Sequence, residues 1–403
     1  MPVKLNPENE LFNDNMFVKL RGILEGVTPP ADLPLLDMSI GEPQMPGSTL
    51  LVDSMARHNR DWHAYPKAPG HECFTDAVCR YIARRWPLAA PLAIRRSQII
   101  PVPGTREPLA FLGNLVRNTK ANPVALITNP YYHAWRAGAL QSGAELVYMD
   151  TKAETGFLPD LDALTADQLD RTTIMYLCSP SNPQGAVMDM AFLQQALKLA
   201  RAHDFLLVMD ECYTDIWRGT APVGMAEAAM LLQEEAGAPD DPLANLVILN
   251  SLSKRSSAAG IRAGFLFGDA QIIAAYLKLV ANAGSLVPTP ILRVAADLYD
   301  DEAHVMAIRS HYDHSFAIAA RYLNVAIPAG GFCLWLPVDD GVAFTRRLMA
   351  EQALRAMPGA FMTHGDGTDN VGRQFVRLAL VHAHDKIEAA MARVAQIYND
   401  GVA

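Results

Sequence analysis

Several protein classes are excluded by what this chain lacks. Its five cysteines, Cys73, Cys79, Cys178, Cys212 and Cys333, are odd in number and form no C-x-x-C pair, so neither a zinc site nor a disulfide framework is favoured. Reduced, packed thiols are the expected state, and no metal is expected. No apolar stretch approaches the roughly 18–20 uncharged residues of a membrane span, and the first eight residues lack the apolar core of a signal peptide. These absences read as a cytoplasmic protein. Lys/Arg-rich runs are missing too: Arg84-Arg85, Arg95-Arg96 and Arg346-Arg347 are short pairs, and the formal net charge is −9. That balance argues against a nucleic-acid surface. There are no internal repeats and no low-complexity tracts.

What is present is ordinary globular material with a strong order to it. Of 403 residues, 50% are hydrophobic and 19% charged, which leaves room for two domains. Residues 1–45 read as an arm, with a helix over 13–25, then Pro29-Pro30 and Pro34, then a short strand ending at Gly41. Residues 46–290 alternate helical patterns with short apolar runs at 123–128, 173–178, 205–209, 246–249 and 263–267. Continuous apolar strands between helices predict an α/β domain with a largely parallel, buried sheet. A long helical pattern follows from Ile291 to about Leu323, and then Gly330-Gly331-Phe-Cys-Leu-Trp-Leu-Pro337 reads as a strand. Residues 291–403 are therefore expected to form a smaller α+β domain that the arm joins.

Polar groups gather at the ends of the apolar runs. In open α/β sheets the ligand crevice forms at the carboxyl ends of the strands. Tyr132, Asn182, Asp210 with Tyr213, and Lys254 all fall there. Lys254 sits in Ser251-Leu-Ser-Lys-Arg-Ser-Ser-Ala-Ala-Gly-Ile-Arg262. A lysine closing a buried strand is a candidate Schiff-base nucleophile, because partial desolvation favours its neutral amine. Ser251, Ser253 and Arg262 are the donors an anionic phosphate needs beside it. Together they point to a pyridoxal phosphate (PLP) pocket.

The other motifs gain meaning from that one. Asp210 is placed to pair with a protonated pyridine nitrogen, keeping the ring an electron sink; on its own it reads equally as a helix cap or turn acid. Glu211 should face away from it. Asn182, in the turn-rich Ser179-Pro-Ser-Asn-Pro-Gln-Gly185, and Tyr213 are candidates to hold a phenolic oxygen. Gly104-Thr105-Arg106 precedes a helix, where backbone N–H groups favour an anion. Tyr132 offers an aromatic plate. Arg377, inside the apolar run Phe375-Val-Arg-Leu-Ala, should meet a carboxylate, because a buried guanidinium without a partner is costly. A structural acid or the α-carboxylate of an amino-acid substrate would both serve. Lys19, Arg21, Lys67 and Arg106 are the cations on offer for a distal carboxylate.

These residues, in order, resemble the fold-type I, class I/II aminotransferases over nearly the whole chain. The matching set is Gly41, Tyr65 with Gly70, Gly104-Thr-Arg106, Tyr132, Asn182-Pro-x-Gly185, Asp210-x-x-Tyr213, Ser251-x-Ser-Lys254 with Arg262, and Arg377. The resemblance implies a large domain with a mostly parallel seven-stranded sheet and a smaller α+β domain. It implies that Lys254 binds the cofactor covalently and then carries a proton, helped by Asp210 and Tyr213. Gly104, Thr105, Arg106, Ser251, Ser253 and Arg262 would cradle the phosphate, and Arg377, Gly41 and Asn182 would take the substrate carboxylate. Tyr65 would reach the neighbouring subunit's phosphate, which implies a homodimer. Gly104-Thr-Arg-Glu, Asp210-Glu-Cys-Tyr, Ser251-Leu-Ser-Lys-Arg-Ser, Phe265-x-x-Gly-Asp269 and Arg377-Leu-Ala-Leu-Val look like the succinyldiaminopimelate transaminases of lysine synthesis. Two departures stand out: Gln184 where the family usually has Thr, and Ser257-Ala-Ala for the subgroup's Asn-x-Pro. The reaction expected is amino transfer between glutamate/2-oxoglutarate and an amino acid/oxo acid pair, with N-succinyl-LL-2,6-diaminopimelate as the subgroup's substrate. The alternatives are transfer to aspartate or another amino acid, or a β-lyase of the same fold. A PLP-sensing transcription regulator would need a basic winged-helix module ahead of this domain.

Overall fold

The computed structural model describes residues 3–4, 15–45, 48–235 and 237–399. The arm helix spans Met16–Leu24, capped by the Asn15 side chain on the Phe17 N–H; residues 13 and 14 of the expected helix lie outside the described residues. Leu20 is its buried anchor, packed with Trp335, Met357 and Met362. The strand expected to end at Gly41 is only β1 (Leu36–Asp37), paired in parallel with Leu354–Arg355. Past it Met38 still bonds the Arg355 carbonyl and the Ala379 N–H, and then the Ser39 and Gly41 carbonyls are taken by side chains of the site.

The central sheet has seven strands: β2 (Ile99–Val102), β3 (Val124–Asn129), β4 (Glu145–Asp150), β5 (Thr172–Cys178), β6 (Leu206–Asp210), β7 (Leu246–Ser251) and β8 (Gly264–Gly268). Their order is β2-β8-β7-β6-β5-β3-β4. Only β8 runs against the rest, bonded antiparallel to both β2 and β7. The expected mostly parallel sheet is therefore present, and the five apolar runs lie within a residue or two of β3, β5, β6, β7 and β8. Alternation along each strand divides it between two cores. Leu126, Met175, Leu207 and Ile248 face one layer of helices, and Ile127, Tyr176, Val208 and Leu249 face the other. β4 was not legible as a strand because it is an edge: most of its residues are exposed or half-exposed, so it carries no continuous apolar run.

The C-terminal sheet is antiparallel in the order β11-β12-β9, from β9 (Cys333–Pro337), β11 (Met357–Pro358) and β12 (Phe375–Ala379), with β10 (Leu354–Arg355) pairing the arm. Its core joins Phe316, Leu334, Leu336, Leu348, Val376, Leu378, Ile387 and Val394 to Met38 of the arm. The single helix expected from Ile291 to Leu323 is two helices, Thr289–Asp300 and Ala303–Leu323. Asp301 turns extended, and its carboxylate caps the next helix by accepting the His304 N–H at 2.9 Å. The first of the two helices packs on Glu72–Arg85, with Phe74 edge-on to Tyr299. Ile291, Leu292, Val294, Ala295, Leu298 and Tyr299 of that helix join the apolar cluster under the large sheet. Among the described residues no helix is long and apolar enough to cross a membrane.

Candidate active site

The carboxyl ends of β5, β6 and β7 deliver Asn182, Asp210 and Lys254 to one place. Lys254 follows β7 in a one-turn helix, Leu252–Arg255, whose start is capped by Ser251 Oγ accepting the Ser253 N–H. Its Nζ donates to the Gly41 carbonyl at 2.9 Å and lies 5.1 Å from the Phe332 ring and 5.8 Å from the Tyr213 ring. Desolvation lowers the amine below its ordinary value, and the Arg377 guanidinium works in the same direction. The amine is thus biased toward the neutral form that a nucleophile or proton acceptor needs.

Asp210 ends β6 and is 5% exposed. Its Oδ1 accepts the Cys212 N–H at 3.2 Å and its Oδ2 accepts Trp135 Nε1 at 3.3 Å. Burial pushes its carboxyl above the ordinary carboxylate range despite those hydrogen bonds. A buried acid with neutral donors only is stabilised by a cation set opposite it. Glu211 faces the other way, its Oε1 accepting the Met225 N–H at 2.8 Å. Tyr213 is buried edge-on to Phe332 at 5.4 Å. Asn182 Oδ1 is buried and has no hydrogen-bond partner among the described residues. Tyr132 precedes the helix His133–Gln141, and its hydroxyl accepts from Arg106 Nε at 3.3 Å.

A second cluster lies between the start of the helix Arg106–Leu115 and the segment after Lys254. Gly104 has φ +77°, and a Cβ there would overlap Arg262 Nη2. The Arg262 guanidinium is held by the Ala259 and Pro103 carbonyls, both at 2.8 Å. Thr105 Oγ1 lies 3.2 Å from Cys212 Sγ, and Ser251 Oγ lies 2.9 Å from Ser253 Oγ. Glycine at 104 lets the Arg262 guanidinium approach the start of that helix, and a guanidinium with hydroxyls beside a helix start is the donor set that suits a phosphate.

Arg377 on β12 is 3% exposed. Its Nη2 donates to the Ser39 carbonyl at 2.6 Å, its Nε is buried without a partner, and among the described residues no carboxylate pairs with it. Gly41 lies against the guanidinium: a Cβ there would stand 3.9 Å from its carbon. The arm turn at 39–41 thus touches both Lys254 and Arg377. Tyr65 stands apart. It is 99% exposed and makes no hydrogen bond or ring contact among the described residues. Trp135 and Phe332 were missed by the sequence reading. Trp135 carried a signal, since it lies three residues beyond Tyr132 and so on the same helix face; Phe332 had none.

The geometry therefore sets a buried lysine near a buried acid, with Arg262 held against Gly104 and with an arginine that pairs with no carboxylate among the described residues. Residues 34–394 match the family of class I and II aminotransferases, and the chain belongs to that family. The fold is fold type I, and the cofactor of the family is PLP. The residues fit it: among the described residues the buried Asp210 carboxylate accepts hydrogen bonds only from the neutral Cys212 N–H and Trp135 Nε1, and the close approach of Arg262 to Gly104 admits no side chain there. An LL-diaminopimelate aminotransferase of Moorella thermoacetica is 27% identical over 373 residues, 90% of each chain. An aminotransferase from Neisseria meningitidis superposes with a TM-score of 0.90 at 28% identity, covering 98% of this chain and all of the other. The aminotransferase AspB from Helicobacter pylori gives 0.87 at 28% identity, covering 99% of this chain and 100% of the other.

Proposed function

We propose that this aminotransferase moves an amino group between glutamate/2-oxoglutarate and a long dicarboxylic amino acid of the diaminopimelate type, in the cytoplasm. N-succinyl-LL-2,6-diaminopimelate is the first candidate, from the motif resemblance, and LL-diaminopimelate the second, from the relatives. The observation that carries the reading is Arg377, a buried guanidinium that among the described residues has a free Nε edge and no acid, set beside the Lys254–Gly41 contact. A planar fork of that kind suits a substrate α-carboxylate, with Gly41 leaving room and Asn182 alongside.

In this reading PLP, when bound, supplies the sink for the electron pair left on the substrate carbon as its proton leaves. Asp210 would hold the ring nitrogen, Asn182 and Tyr213 the ring oxygen, and Tyr132 the ring face. Gly104, Thr105, Arg106, Ser251, Ser253 and Arg262 would hold the phosphate. Lys254, with its amine biased to the neutral form, would take the proton from the substrate α-carbon and return it on the other side of the amino nitrogen. The exposed apolar side chains Val52, Met55, Trp62 and Tyr65 support a homodimer in which Tyr65 reaches the neighbouring subunit's phosphate. The division that goes with it is an arm (1–45), a large unit, and a C-terminal unit starting after Asp300.

The test is a half-reaction on the PLP-loaded protein. Glutamate should bleach the visible absorbance and release 2-oxoglutarate, and a 2-oxo acid should restore it. A panel of N-succinyl and free diaminopimelate substrates then ranks the acceptors. Absorbance untouched by glutamate and by both diaminopimelates, with pyruvate and ammonia released from a substrate bearing a β leaving group, would replace this reading with a lyase.

A further inference from the structure

The one-turn helix that presents Lys254 cannot hold its own direction. Leu252–Arg255 has four residues, and the first turn of a helix fixes about six torsions for a single hydrogen bond. Its surroundings must set where the lysine points. Both residues after Lys254 are gripped by the short segment between the helices Thr289–Asp300 and Ala303–Leu323, where the sequence pattern had shown one continuous helix.

Arg255 is fully buried. Its Nη2 donates to the Tyr299 carbonyl at 3.3 Å, the Asp301 carbonyl at 3.2 Å and the Glu302 carboxylate at 2.8 Å. Its Nη1 lies 3.4 Å from Asp215, and its guanidinium carbon lies 4.8 Å above the Tyr81 ring. Ser256 Oγ pairs with His304 Nε2 at 2.8 Å, and His304 Nδ1 pairs with Asp301 Oδ1 at 2.6 Å. The carbonyls that Arg255 takes are those of Tyr299 and Asp301, at the point where the helix breaks. The break therefore has a purpose in the packing: it exposes carbonyls and a capping acid to the residues that follow the lysine.

Ser256, His304 and Asp301 have the connectivity of a nucleophile, its base and an orienting acid. Ser256 is 1% exposed, so no substrate reaches it and a hydrolytic role is out. A purely stabilising role is a poor account too, since apolar residues of similar volume commonly serve a core as well as a buried ion pair does. What a forked, multiply bonded guanidinium adds is direction.

We propose that the break at 301–304 is a clamp on the Lys254 segment, with Arg255, Ser256, Glu302 and His304 as positioning residues for proton transfer at the substrate α-carbon. This rests on the reading of Lys254 as the group that moves that proton. The clamp acts on placement, so it bears on the chemical step and leaves cofactor and donor binding alone.

The experiment compares PLP-loaded wild type with Ser256→Ala and Glu302→Gln, reading kcat, KM for glutamate, PLP affinity, melting temperature and the isotope effect from α-deuterated glutamate. Misplacement of a reacting group by a fraction of an ångström should lower kcat about tenfold. KM and PLP affinity should stay within about twofold, and the isotope effect should rise as proton transfer becomes more rate-limiting. A variant with a lower melting temperature but wild-type kcat and isotope effect would overturn the proposal and leave the clamp a purely structural feature. If Glu302→Gln does not fold, Ser256→Ala, which removes one hydroxyl, decides alone. Lys254→Ala separates the two levels: turnover that survives it removes the underlying reading, whereas an inactive Lys254→Ala beside unaffected clamp variants removes only the clamp.

Discussion

Gly104→Ala isolates the phosphate cradle, because the structure separates its effect on the fold from its effect on the ligand. Gly104 has φ +77°, and a residue with a Cβ in that region is strained by roughly 1–2 kcal/mol. That strain is present with or without cofactor, so it appears as lost stability in the apo protein. The second effect is on Arg262. The new methyl would overlap Nη2, which is pinned to the Pro103 carbonyl at 2.8 Å while Nη1 is pinned to Ala259. The guanidinium cannot swing aside and keep both bonds, so it leaves its place over the cradle. A charged hydrogen bond of this kind is worth about 1.5–3 kcal/mol, or about a 10- to 150-fold weaker PLP affinity. Equilibrium dialysis against PLP and urea denaturation of the apo protein read the two effects independently. Wild-type PLP affinity in a Gly104→Ala protein that shows the expected stability loss would refute the placement of the phosphate at Gly104 and Arg262.

The other predictions concern the arginine, the second buried acid and the exposed face. Arg377→Met keeps the apolar stem and removes the fork, so KM for glutamate should rise about 30- to 150-fold, the equivalent of 2–3 kcal/mol, with PLP affinity unchanged; an unaltered KM would assign Arg377 a structural role. Glu211 is pushed up to about 8 from an ordinary 4.5, chiefly by desolvation. In the interval between those values the native state holds a proton that the unfolded chain has lost, so this group's contribution makes stability fall as pH rises from about 4.5 to about 8. Glu211→Gln should flatten that slope in chemical denaturation across the interval, and an unchanged slope would show that the acid is already ionised. Trp62→Asp puts a charge in place of one of the exposed apolar side chains Val52, Met55, Trp62 and Tyr65; it should shift the protein from dimer to monomer in sedimentation and weaken PLP binding through loss of Tyr65, and a dimer of undiminished stability would move the interface elsewhere.

The sequence by itself determined the layer order and the chemistry's addresses. Apolar runs of strand length between helical patterns require a sheet buried on both faces, and such a sheet puts polar residues at its strand ends; Asn182, Asp210 and Lys254 follow from that rule before any coordinate is known. The pairing of Gly104 with Arg262 across 158 positions was legible only as two phosphate-like motifs, and their contact depends on β2 and β8 lying side by side. Three features belonged to tertiary structure alone. β4 is an edge strand, and an edge has no reason to be continuously apolar. Asp210, at the end of a strand, is held by Trp135 from the helix His133–Gln141, a contact set by how that helix docks on the sheet. The helix break at Asp301 has no proline or glycine to announce it; it exists because the buried Arg255, 46 positions earlier in the chain, needs the carbonyls that a break releases. Local propensity is read along the chain, but the partner that satisfies a buried charge is chosen by the fold.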